Sequence, residues 1–382
     1  MHLKVFSTFH YFNIKKLFMQ PWKLVRKIMS SLHLRLSKLV TIALASRRLF
    51  RNWFFATLSY ALRRRNIKVE CSDGVSVIMP RHLFATLVLG YHDGVIKGYL
   101  GEKNMVVSRN GLKVHLSHEN VIGILRYFPV GDCYVCVRFL NKGEIVEMPD
   151  GVKFHIKYID PSILAEIWGS GSHFVGSDLS DWLVVDIGAF VGDTALYYAK
   201  LGATVIAVEP VPNNYKALLE NLELNPELKN RIIPINLALS KLTGHVEINF
   251  RGINGGASIY TNFSLKAMVK SVNLNGLLNE VSKLGLALDK FKVKFLKMDC
   301  KGCEYDIIFD EQSLVKIFEI VKIEYSGHLR NENVDKVVKI MEDLGYICRV
   351  YAHSPAAFGV GLDKHGTILC IKHDMPRLPY TF

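Results

Sequence analysis

The chain has 382 residues, of which 49% are hydrophobic and 22% charged, a composition that excludes an intrinsically disordered chain and leaves room for two or three domains. The net charge of +13 comes from the start, because residues 1–66 hold fourteen Lys and Arg and no acid. No uncharged run there reaches the ~18–20 residues that span a bilayer, so no transmembrane segment is predicted.

Residues 1–66 are predicted to form basic amphipathic helices. Apolar residues recur at helical spacing from Val25 to Leu39, and a second pattern around Trp53 lies between clusters of arginine. Such a segment is typical of an in-plane helix on an anionic membrane surface, here the inner face of the membrane. Two other interpretations stay open: a helical cap on the next domain, and a nucleic-acid surface, for which no recognisable motif accompanies the charge.

Residues 67–157 are predicted to form a small, mainly β module. Short strand-like runs such as Val75–Ile78, Met105–Ser108 and Tyr134–Phe139 are separated by turns rich in glycine, asparagine and aspartate. The module shows no catalytic constellation, and its role cannot be predicted from the sequence. Residues 158–180 are then expected to form a connecting helix and loop.

Residues 181–382 are predicted to form an α/β domain. Strand patterns at 182–188, 203–209 and 231–239 alternate with helix patterns at 193–201 and 213–224. This alternation predicts a parallel sheet with helices on both faces. The later segments add strands at 245–250, 292–299, 318–325, 346–352 and 366–373, and a helix at 331–344.

The segment Leu183–Thr194 predicts a strand, a tight turn and the start of a helix. An apolar strand ends at Asp186, and glycines follow at Gly188 and Gly192. Glycine lets a ligand approach the backbone closely, and the start of a helix favours an anionic group. We therefore predict that this turn binds a cofactor.

A second strand ends in Glu209, one strand–helix–strand unit after Asp186. An acid at that position can accept hydrogen bonds from both hydroxyls of a ribose, which indicates a ligand with an adenosine half. The turn lacks the Gly-x-Gly-x-x-Gly pattern of dinucleotide-binding proteins. An acid before the first glycine instead suits S-adenosylmethionine, whose amino-acid end carries an ammonium group.

Two blocks of sequence resemble the FkbM family of S-adenosylmethionine-dependent methyltransferases. The first runs from Asp186 through Gly188, Gly192 and Glu209-Pro210 to Asn221 and Asn225. The second, Leu296-Lys-Met-Asp-Cys-Lys-Gly-Cys-Glu304, is similar to the family's Lys-x-Asp-x-Glu-Gly-x-Glu signature, with Lys301 in place of the usual Glu. The resemblance covers about half of the chain.

The resemblance implies a Rossmann-like class I methyltransferase sheet in which the last strand is antiparallel. It also implies S-adenosylmethionine as the cofactor, and it adds Ala189, Pro210 and Ala238 to the predicted cofactor site. The acceptor class that it implies is a hydroxyl group of a sugar, glycan or other natural-product-like small molecule.

Asp299 and Glu304 are the candidate catalytic residues. Asp299 ends the fourth main strand, and ligands of open α/β sheets lie beyond the carboxyl ends of the strands. A carboxylate there can orient the acceptor and receive its proton. Glu304 and Glu324 are expected to face the same crevice. Three acids would also permit a divalent cation, but no metal ligand is assigned.

Seven cysteines, an odd number, without a secretory signal predict a reducing, cytoplasmic interior. The pairs Cys133/Cys136 and Cys300/Cys303 have the spacing of zinc ligands. The first pair lies in a predicted strand, where positions i and i+3 point to opposite faces, so we predict unrelated buried cysteines. His328 and His353 lie in predicted loops and are given no role.

The sequence therefore predicts an S-adenosylmethionine-dependent methyltransferase, most plausibly an O-methyltransferase, preceded by a β module and a basic helical segment. Two alternatives stay open. One is a membrane-peripheral protein that binds the nucleotide without turnover, and the other is a nicotinamide-dependent oxidoreductase. The oligomeric state is not predicted.

Overall fold

A computed structural model describes residues 36–253, 255–351 and 364–375. The chain divides into two compact units, Met1–Arg126 and Tyr127–Phe382. This boundary differs from all three suggested by the sequence, at 66/67, 157/158 and 180/181. The predictions for residues 1–35 and for His353 lie outside the described residues.

The first unit, over its described residues, combines helices with two small antiparallel sheets, β1-β2 and β3-β4-β5. Its elements in chain order are α1 (residues 36–49), α2 (Trp53–Ala61), β1 (Asn66–Glu70), β2 (Ser76–Pro80), α3 (Arg81–His92), β3 (Ile96–Leu100), β4 (Met105–Ser108), β5 (Lys113–His115) and α4 (Asn120–Tyr127), which reaches the boundary.

One face of the α1–α2 segment belongs to the core of this unit. The Phe50 ring stacks on Phe84 at 5.8 Å between centroids, and Tyr60 lies 5.9 Å from the same ring. Ile42, Leu49 and Ala56 are also buried. The basic helices therefore pack on α3 and β1, as the cap interpretation expects, because their apolar residues are numerous enough to form a buried face.

The prediction of one mainly β module over residues 67–157 is wrong. Its strands form three separate sheets, the third being β6 (Arg138–Leu140), β7 (Ile145–Glu147) and β8 (Lys153–His155) in the second unit. The apolar residues of α3 recur as Phe84, Leu87 and Val88, which is a helical rather than a strand period. The expected strand at Tyr134–Phe139 is a turn up to Val137, and only its end joins β6.

The second unit is built on a seven-stranded sheet of order β11-β10-β9-β15-β16-β18-β17. The strands of this unit after β8 are β9 (Trp182–Ile187), β10 (Thr204–Val208), β11 (Ile232–Ile235), β12 (Ala238–Leu239), β13 (Gly244–Phe250), β14 (Leu265–Val272), β15 (Val293–Met298), β16 (Ile320–Ser326), β17 (Tyr346–Tyr351) and β18 (His365–Lys372).

Strands β11, β10, β9, β15 and β16 are parallel to one another, and β18 runs antiparallel between β16 and β17. This is the Rossmann-like class I methyltransferase sheet, so the predicted fold class is confirmed. The switch in strand order lies at β9, from which the chain continues to β10 on one side and later returns to β15 on the other. The carboxyl ends of these strands meet at one edge, where ligands of open α/β sheets bind.

The helices of this unit are α5 (Pro161–Leu164), α6 (Asp193–Lys200), α7 (Pro212–Glu223), α8 (Leu274–Lys283), α9 (Cys303–Asp310), α10 (Gln312–Val315), α11 (Gly327–Arg330) and α12 (Val334–Asp343). A short π-helix, Ala165–Gly169, follows α5. The sequence analysis did not predict β14 and α8. Here β14 pairs with β13 and β12 in a small sheet that lies outside the seven-stranded one.

Asn221 and Asn225, which belong to the first family block, connect α7 to β8. Asn221 Oδ1 accepts a hydrogen bond from the His155 backbone N–H, and Asn225 Oδ1 accepts one from Lys153 N–H, each at 2.9 Å. Asn225 Nδ2 also donates to the Lys153 carbonyl. The third small sheet is thus held on the α/β unit by side-chain amides that replace missing backbone partners.

The prediction of unrelated, reduced cysteines is contradicted. Disulfides join Cys133 to Cys136, Cys300 to Cys303 and Cys348 to Cys370, and Cys71 is a buried free thiol. Positions i and i+3 can approach each other at 133–136 because the segment is a turn, and at 300–303 because it is a loop before α9. Neither geometry is available on a strand.

Candidate active site

A cavity of about 250 Å³ lies at the carboxyl ends of β9, β10, β15 and β16. One part of its wall is formed by the ends of β9 and β10 and by residues near β12, and another by the loop after β15 and the end of β16. Its polar lining residues include Glu166, His173, Asp193, Thr194, Glu209, Asn214, Ser258, Tyr260, Lys297, Asp299, Lys301, Glu324 and His365.

The turn after β9 requires glycine for packing. Gly188 has φ +81°, and a Cβ atom there would lie 2.1 Å from the carbonyl oxygen of Asp299. Gly192 has φ +86° and precedes α6, and its Cβ would lie 3.2 Å from Leu218 Cγ. The sequence analysis attributed these glycines to the approach of a ligand. In the structure a side chain at either position would meet neighbouring protein atoms, Asp299 for Gly188 and Leu218 for Gly192. Gly188 also lines the cavity.

Asp186 lies behind the cavity wall, fully buried in the sheet. Its Oδ1 pairs with Lys297 Nζ at 2.8 Å, directly across from β15, and its Oδ2 accepts a hydrogen bond from the Thr194 hydroxyl at 2.6 Å. Lys297 Nζ also donates to the Gly188 carbonyl at 3.1 Å. Asp186 therefore stabilises the turn rather than lining the cavity, which corrects its predicted place.

Ala189 and Gly192 also lie outside the cavity lining. The Ala189 backbone N–H donates to the Val208 carbonyl at 3.0 Å, so this part of the turn is tied to β10.

Burial lowers the pKa of Lys297, but the acids around it, with Asp186 first, outweigh burial and hold the pKa above its ordinary value. The ammonium of Lys297 stays charged and lines the cavity. A charged residue inside an apolar strand requires a partner, so the position of Lys297 in β15 could have indicated a buried ion pair from the sequence.

Glu209 reaches the cavity from the end of β10, as predicted. Its Oε2 accepts a hydrogen bond from Phe190 N–H at 2.9 Å, and its Oε1 accepts from Val211 N–H at 2.9 Å and from Asn214 Nδ2 at 3.2 Å. Burial raises its pKa to about 8, against the lowering effect of these donors. A carboxylate offers about four acceptor positions, and the described residues use three, so one is left for a ligand hydroxyl.

Pro210 and Ala238, also predicted for the cofactor, line the same part of the cavity, together with Leu237 and Leu239. Asp193 at the start of α6 lines it as well, although the sequence analysis gave it no role. Burial raises the pKa of Asp193 to about 7. The sequence could have indicated that Asp193 lies at the site, because it directly follows Gly192 at the start of a helix.

Asp299, Lys301 and Glu324 form a linked group on the other side of the cavity. Lys301 Nζ lies 2.6 Å from Asp299 Oδ1 and also pairs with Glu324 Oε1. Burial and then Glu324 raise the pKa of Asp299, while Lys301 and Lys297 oppose the increase. The structure thus brings Asp299 and Glu324 together, as the sequence suggested, but with a lysine between them.

Glu304 does not line the cavity, contrary to its prediction as a catalytic residue. Its Oε1 accepts from Ser326 N–H at 3.0 Å and its Oε2 from Gly302 N–H at 2.7 Å. Burial raises its pKa to about 7. Both oxygens thus hold backbone groups of β16 and of the loop before α9. Glu304 is placed to position that loop.

Three further polar residues in or beside the cavity were not predicted. Glu166 lines the cavity from the π-helix, and burial followed by Glu324 and Asp299 raises its pKa to about 8. Lys322 Nζ donates to the Ser172 carbonyl at 2.7 Å, and burial lowers its pKa to about 7. His365 lines the cavity, and its Nδ1 must donate to the Tyr325 carbonyl, 3.1 Å away. These three residues lie far from one another in the sequence and outside the predicted motifs, so the sequence did not indicate that they share a site.

No group of three or more His, Cys, Asp or Glu arranged to hold a metal ion occurs in residues 36–253, 255–351 and 364–375. The acids that the sequence suggested for a cation are Asp299, Glu304 and Glu324. Two of them pair with Lys301, and the third binds backbone N–H groups.

The lining residues fit S-adenosylmethionine. Glu209 has an acceptor position for the ribose, and Leu237, Ala238 and Leu239 offer an apolar wall for the adenine. The cationic Lys297 and the acid Asp193 lie at the turn, where the zwitterionic amino-acid end carries both charges. This donor set matches each chemical part of the cofactor.

Comparison with known protein families finds a methyltransferase domain in part of the chain. Residues 186–348 match the family model of the Methyltransferase FkbM domain, so the resemblance found in the sequence is confirmed over that range. S-adenosylmethionine is accordingly the cofactor. No curated protein matches the sequence.

Among solved structures, a precorrin-6y C5,15-methyltransferase from Geobacter metallireducens is similar over 55% of this chain and 86% of its own, at 13% identity and a TM-score of 0.29. The fibrillarin of Aeropyrum pernix, solved with natively bound S-adenosyl-L-methionine, covers 81% and 94%, at 12% identity and a TM-score of 0.32. TYW2 of Pyrococcus horikoshii, in complex with MeSAdo, covers 63% and 72%, at 15% identity and a TM-score of 0.31. These scores are too low to support a function.

Proposed function

We propose that this chain, whose residues 186–348 are an FkbM methyltransferase domain, transfers a methyl group from S-adenosylmethionine to a hydroxyl oxygen of a sugar or similar small acceptor. The observation that carries the proposal is that Glu209 and the Asp299–Lys301–Glu324 group line one cavity at the switch point of the sheet. A ribose-binding acid and a group able to hold a hydroxyl therefore face the same space.

S-adenosylmethionine supplies an electrophilic methyl group when it is bound. Glu209 would hold a ribose hydroxyl, and Lys297 with Asp193 would orient the charged end of the cofactor. Asp299 would accept a hydrogen bond from the acceptor hydroxyl and take its proton as the oxygen gains a bond. Fixing both partners in one cavity supplies the alignment on which a displacement depends.

The acceptor class is supported by the polar character of the wall around Asp299. Glu166, Glu324, Lys301 and His365 can all exchange hydrogen bonds with the several hydroxyls of a sugar. An apolar acceptor would cover these polar side chains without offering them a hydrogen bond, which is costly.

Replacing Glu209 tests the cofactor assignment. Glu209→Ala should weaken S-adenosylmethionine binding by about 1.5–3 kcal/mol, or roughly 10- to 150-fold, because a charge-assisted hydrogen bond to the ribose is lost. Calorimetry on the full chain, with Glu223→Ala as the control on the exposed end of α7, measures this difference. Unchanged affinity in Glu209→Ala, or tight binding of NAD by the parent, would refute the assignment.

A second proposal concerns where the protein acts: attachment to an anionic membrane surface through the α1–α2 segment. Leu36, Val40 and Leu44 lie four residues apart on α1 and are 54–63% exposed, so they form one apolar row. A second exposed group follows on and after α2: Phe54, Phe55, Leu58 and Leu62. These residues lie opposite the face that packs in the unit.

Charge favours an anionic lipid surface as the partner of these apolar residues. Arg47 and Arg48 are exposed after the first row, and Arg63, Arg64 and Arg65 are exposed after the second. Each Lys or Arg near such a surface can contribute about 1 kcal/mol. Across the described ranges no helix has the length and apolar character needed to cross a bilayer. The proposal is therefore in-plane attachment.

Liposome flotation of the full chain tests this attachment. The parent should float with vesicles that contain phosphatidylserine at low salt and be partly released at high salt, because the Debye length shortens. Phe54→Ser/Phe55→Ser and Arg47→Gln/Arg48→Gln should each reduce the bound fraction. Met268→Ser, a change at an exposed apolar residue of the second unit, should not.

Two results would contradict the membrane proposal. If the parent stays in solution with anionic vesicles at low salt, the exposed rows serve another partner, such as residues 1–35 or a second copy. If binding to neutral vesicles is equally strong at every salt concentration, the arginines do not contribute.

A further inference from the structure

Lys301 differs from every other polar residue of the acceptor wall because it is held between two acids. Its ammonium lies 2.6 Å from Asp299 Oδ1 and also pairs with Glu324 Oε1. The three side chains are only 17–25% exposed. A cation between two partly buried carboxylates is often a bound metal ion. Here the cation is the ammonium group of Lys301.

The backbone around Lys301 is fixed, so its ammonium is not a mobile surface charge. Lys301 has φ +53°, and its carbonyl accepts a hydrogen bond from the Ser258 hydroxyl at 2.6 Å. The next carbonyl, of Gly302, accepts from Arg330 Nη1 at 3.0 Å, and Gly302 N–H donates to Glu304. A Cβ at Gly302 would lie 2.3 Å from the Tyr260 ring. Left-handed backbone at a lysine persists only where the surroundings hold it.

The family signature has glutamate where this chain has Lys301. With a glutamate at that position, the wall would hold three neighbouring acids, two of them Asp299 and Glu324, with Glu166 facing them. Three or four oxygen ligands of this kind are what a divalent cation binds. Lysine reverses the charge at the central position and neutralises its neighbours.

We propose that Lys301 is the built-in cation of the acceptor site: its ammonium takes the place of a divalent ion between Asp299 and Glu324 and keeps both carboxylates together and ionised. This inference rests on the proposed function for its meaning in catalysis, but its geometry does not depend on the acceptor. Lys301 is thus a positioning residue that acts through Asp299.

Removing the ammonium should make the two carboxylates share a proton, since like charges at close range raise one pKa. A neighbouring cation shifts a carboxyl pKa by about 1–3 units. The titratable groups that interact with Asp299 are Lys297 on β15, Lys322 and Glu324 on β16, Glu166 on the π-helix and Asp193 on α6, and His365 on β18 lines the same cavity. All of them remain in a Lys301 variant, so a comparison with the parent isolates the contribution of Lys301.

The first experiment compares the melting temperatures of Lys301→Gln and the full-length parent from pH 4 to pH 8. In the variant, the folded state keeps a proton that the unfolded state has lost above pH ~4, so its stability falls as the pH rises. The difference in melting temperature between Lys301→Gln and the parent should be small near pH 4 and large near pH 8. Lys301→Arg keeps a cation at this position, so its melting temperature should stay close to that of the parent at both pH values.

A matched control removes a lysine elsewhere in the sheet. Lys372 pairs with Glu319 at 3.4 Å, and Glu319 also pairs with Lys294 at 3.3 Å, so a cation stays beside that acid in Lys372→Gln. This variant should show no growing difference between pH 4 and pH 8.

The second experiment asks whether a metal can occupy the position of the ammonium. Lys301→Glu should bind Mn²⁺ in a titration calorimeter with a Kd of roughly 10⁻⁴–10⁻³ M, typical of a weak oxygen site. The parent should show no saturable binding in that range, and Lys301→Glu/Asp299→Asn should lose it. Bound Mn²⁺ should also raise the melting temperature of Lys301→Glu.

The proposal is overturned if Lys301→Gln is destabilised equally at pH 4 and pH 8, or unfolded at both, because Lys301 would then act by packing alone. It is also overturned if Lys301→Glu binds no Mn²⁺ or if the parent binds it equally well. S-adenosylmethionine binding is measured on the same proteins. A parent that does not bind the cofactor refutes the proposed function, whereas the pH and Mn²⁺ results still decide the role of Lys301.

Discussion

Asp299→Asn should bind S-adenosylmethionine within a few-fold of the parent and lose methyl transfer by about 10²–10⁴. The amide keeps the shape of the side chain, but it cannot take a proton and no longer balances the charge of Lys301. In the proposed mechanism Asp299 binds the acceptor, whereas Glu209 and Lys297 bind the cofactor. Turnover and cofactor affinity should therefore separate.

The measurement is incorporation of labelled methyl groups into a panel of sugars and glycans, with calorimetry of the cofactor on the same proteins. Asp310→Asn, at the exposed end of α9, is the control and should resemble the parent. Near-normal turnover in Asp299→Asn would show that another group receives the proton. His365 would be the next residue to replace, because it lines the same cavity and an imidazole can receive a proton.

Asp186→Asn should destabilise the second unit by about 3–5 kcal/mol, because it leaves the buried ammonium of Lys297 without its counter-ion. For a domain of this size the melting temperature should fall by roughly 6–20 °C. The variant also loses the anchor of the turn after β9, so cofactor affinity should fall with stability. Differential scanning calorimetry measures the change.

The double variant Asp186→Leu/Lys297→Met removes both charges and should recover most of the lost stability, since apolar pairs of similar volume often replace a buried ion pair. The control is Glu247→Gln, which breaks an exposed pair with Lys266 and should change stability by less than about 1 kcal/mol. An Asp186→Asn chain as stable as the parent would mean that the buried pair contributes little.

Local pattern was sufficient for the sheet. Of the seven residues predicted to bind the cofactor, Gly188, Glu209, Pro210 and Ala238 line the cavity. The β9–turn–α6 segment, Glu209 at the end of β10 and Asp299 after β15 are all encoded by short apolar runs that end in an acid. Parallel strands place such ends at one edge, so their convergence on a cavity follows from the fold class alone. The antiparallel last strand followed from family resemblance.

Local pattern was not sufficient for residues 67–157. There, apolar runs of four to six residues are compatible with a short strand or with one side of a helix, and α3 was missed for that reason. The disulfide at Cys133–Cys136 was missed for a related reason, because the sequence pattern of a turn was interpreted as a strand.

What the sequence by itself determined is which residues stand at the carboxyl ends of the strands, since strand period and turn chemistry are properties of neighbouring residues. Only the tertiary structure decided which of those acids face the cavity. Asp186 pairs with Lys297 on β15, and Glu304 accepts hydrogen bonds from the N–H groups of Gly302 and of Ser326 on β16. A buried charge must find a partner, and Lys297 and Ser326 come close only in the folded sheet. The placing of Lys301 between Asp299 and Glu324 was decided in the same way, by two strands that meet only when the sheet has formed.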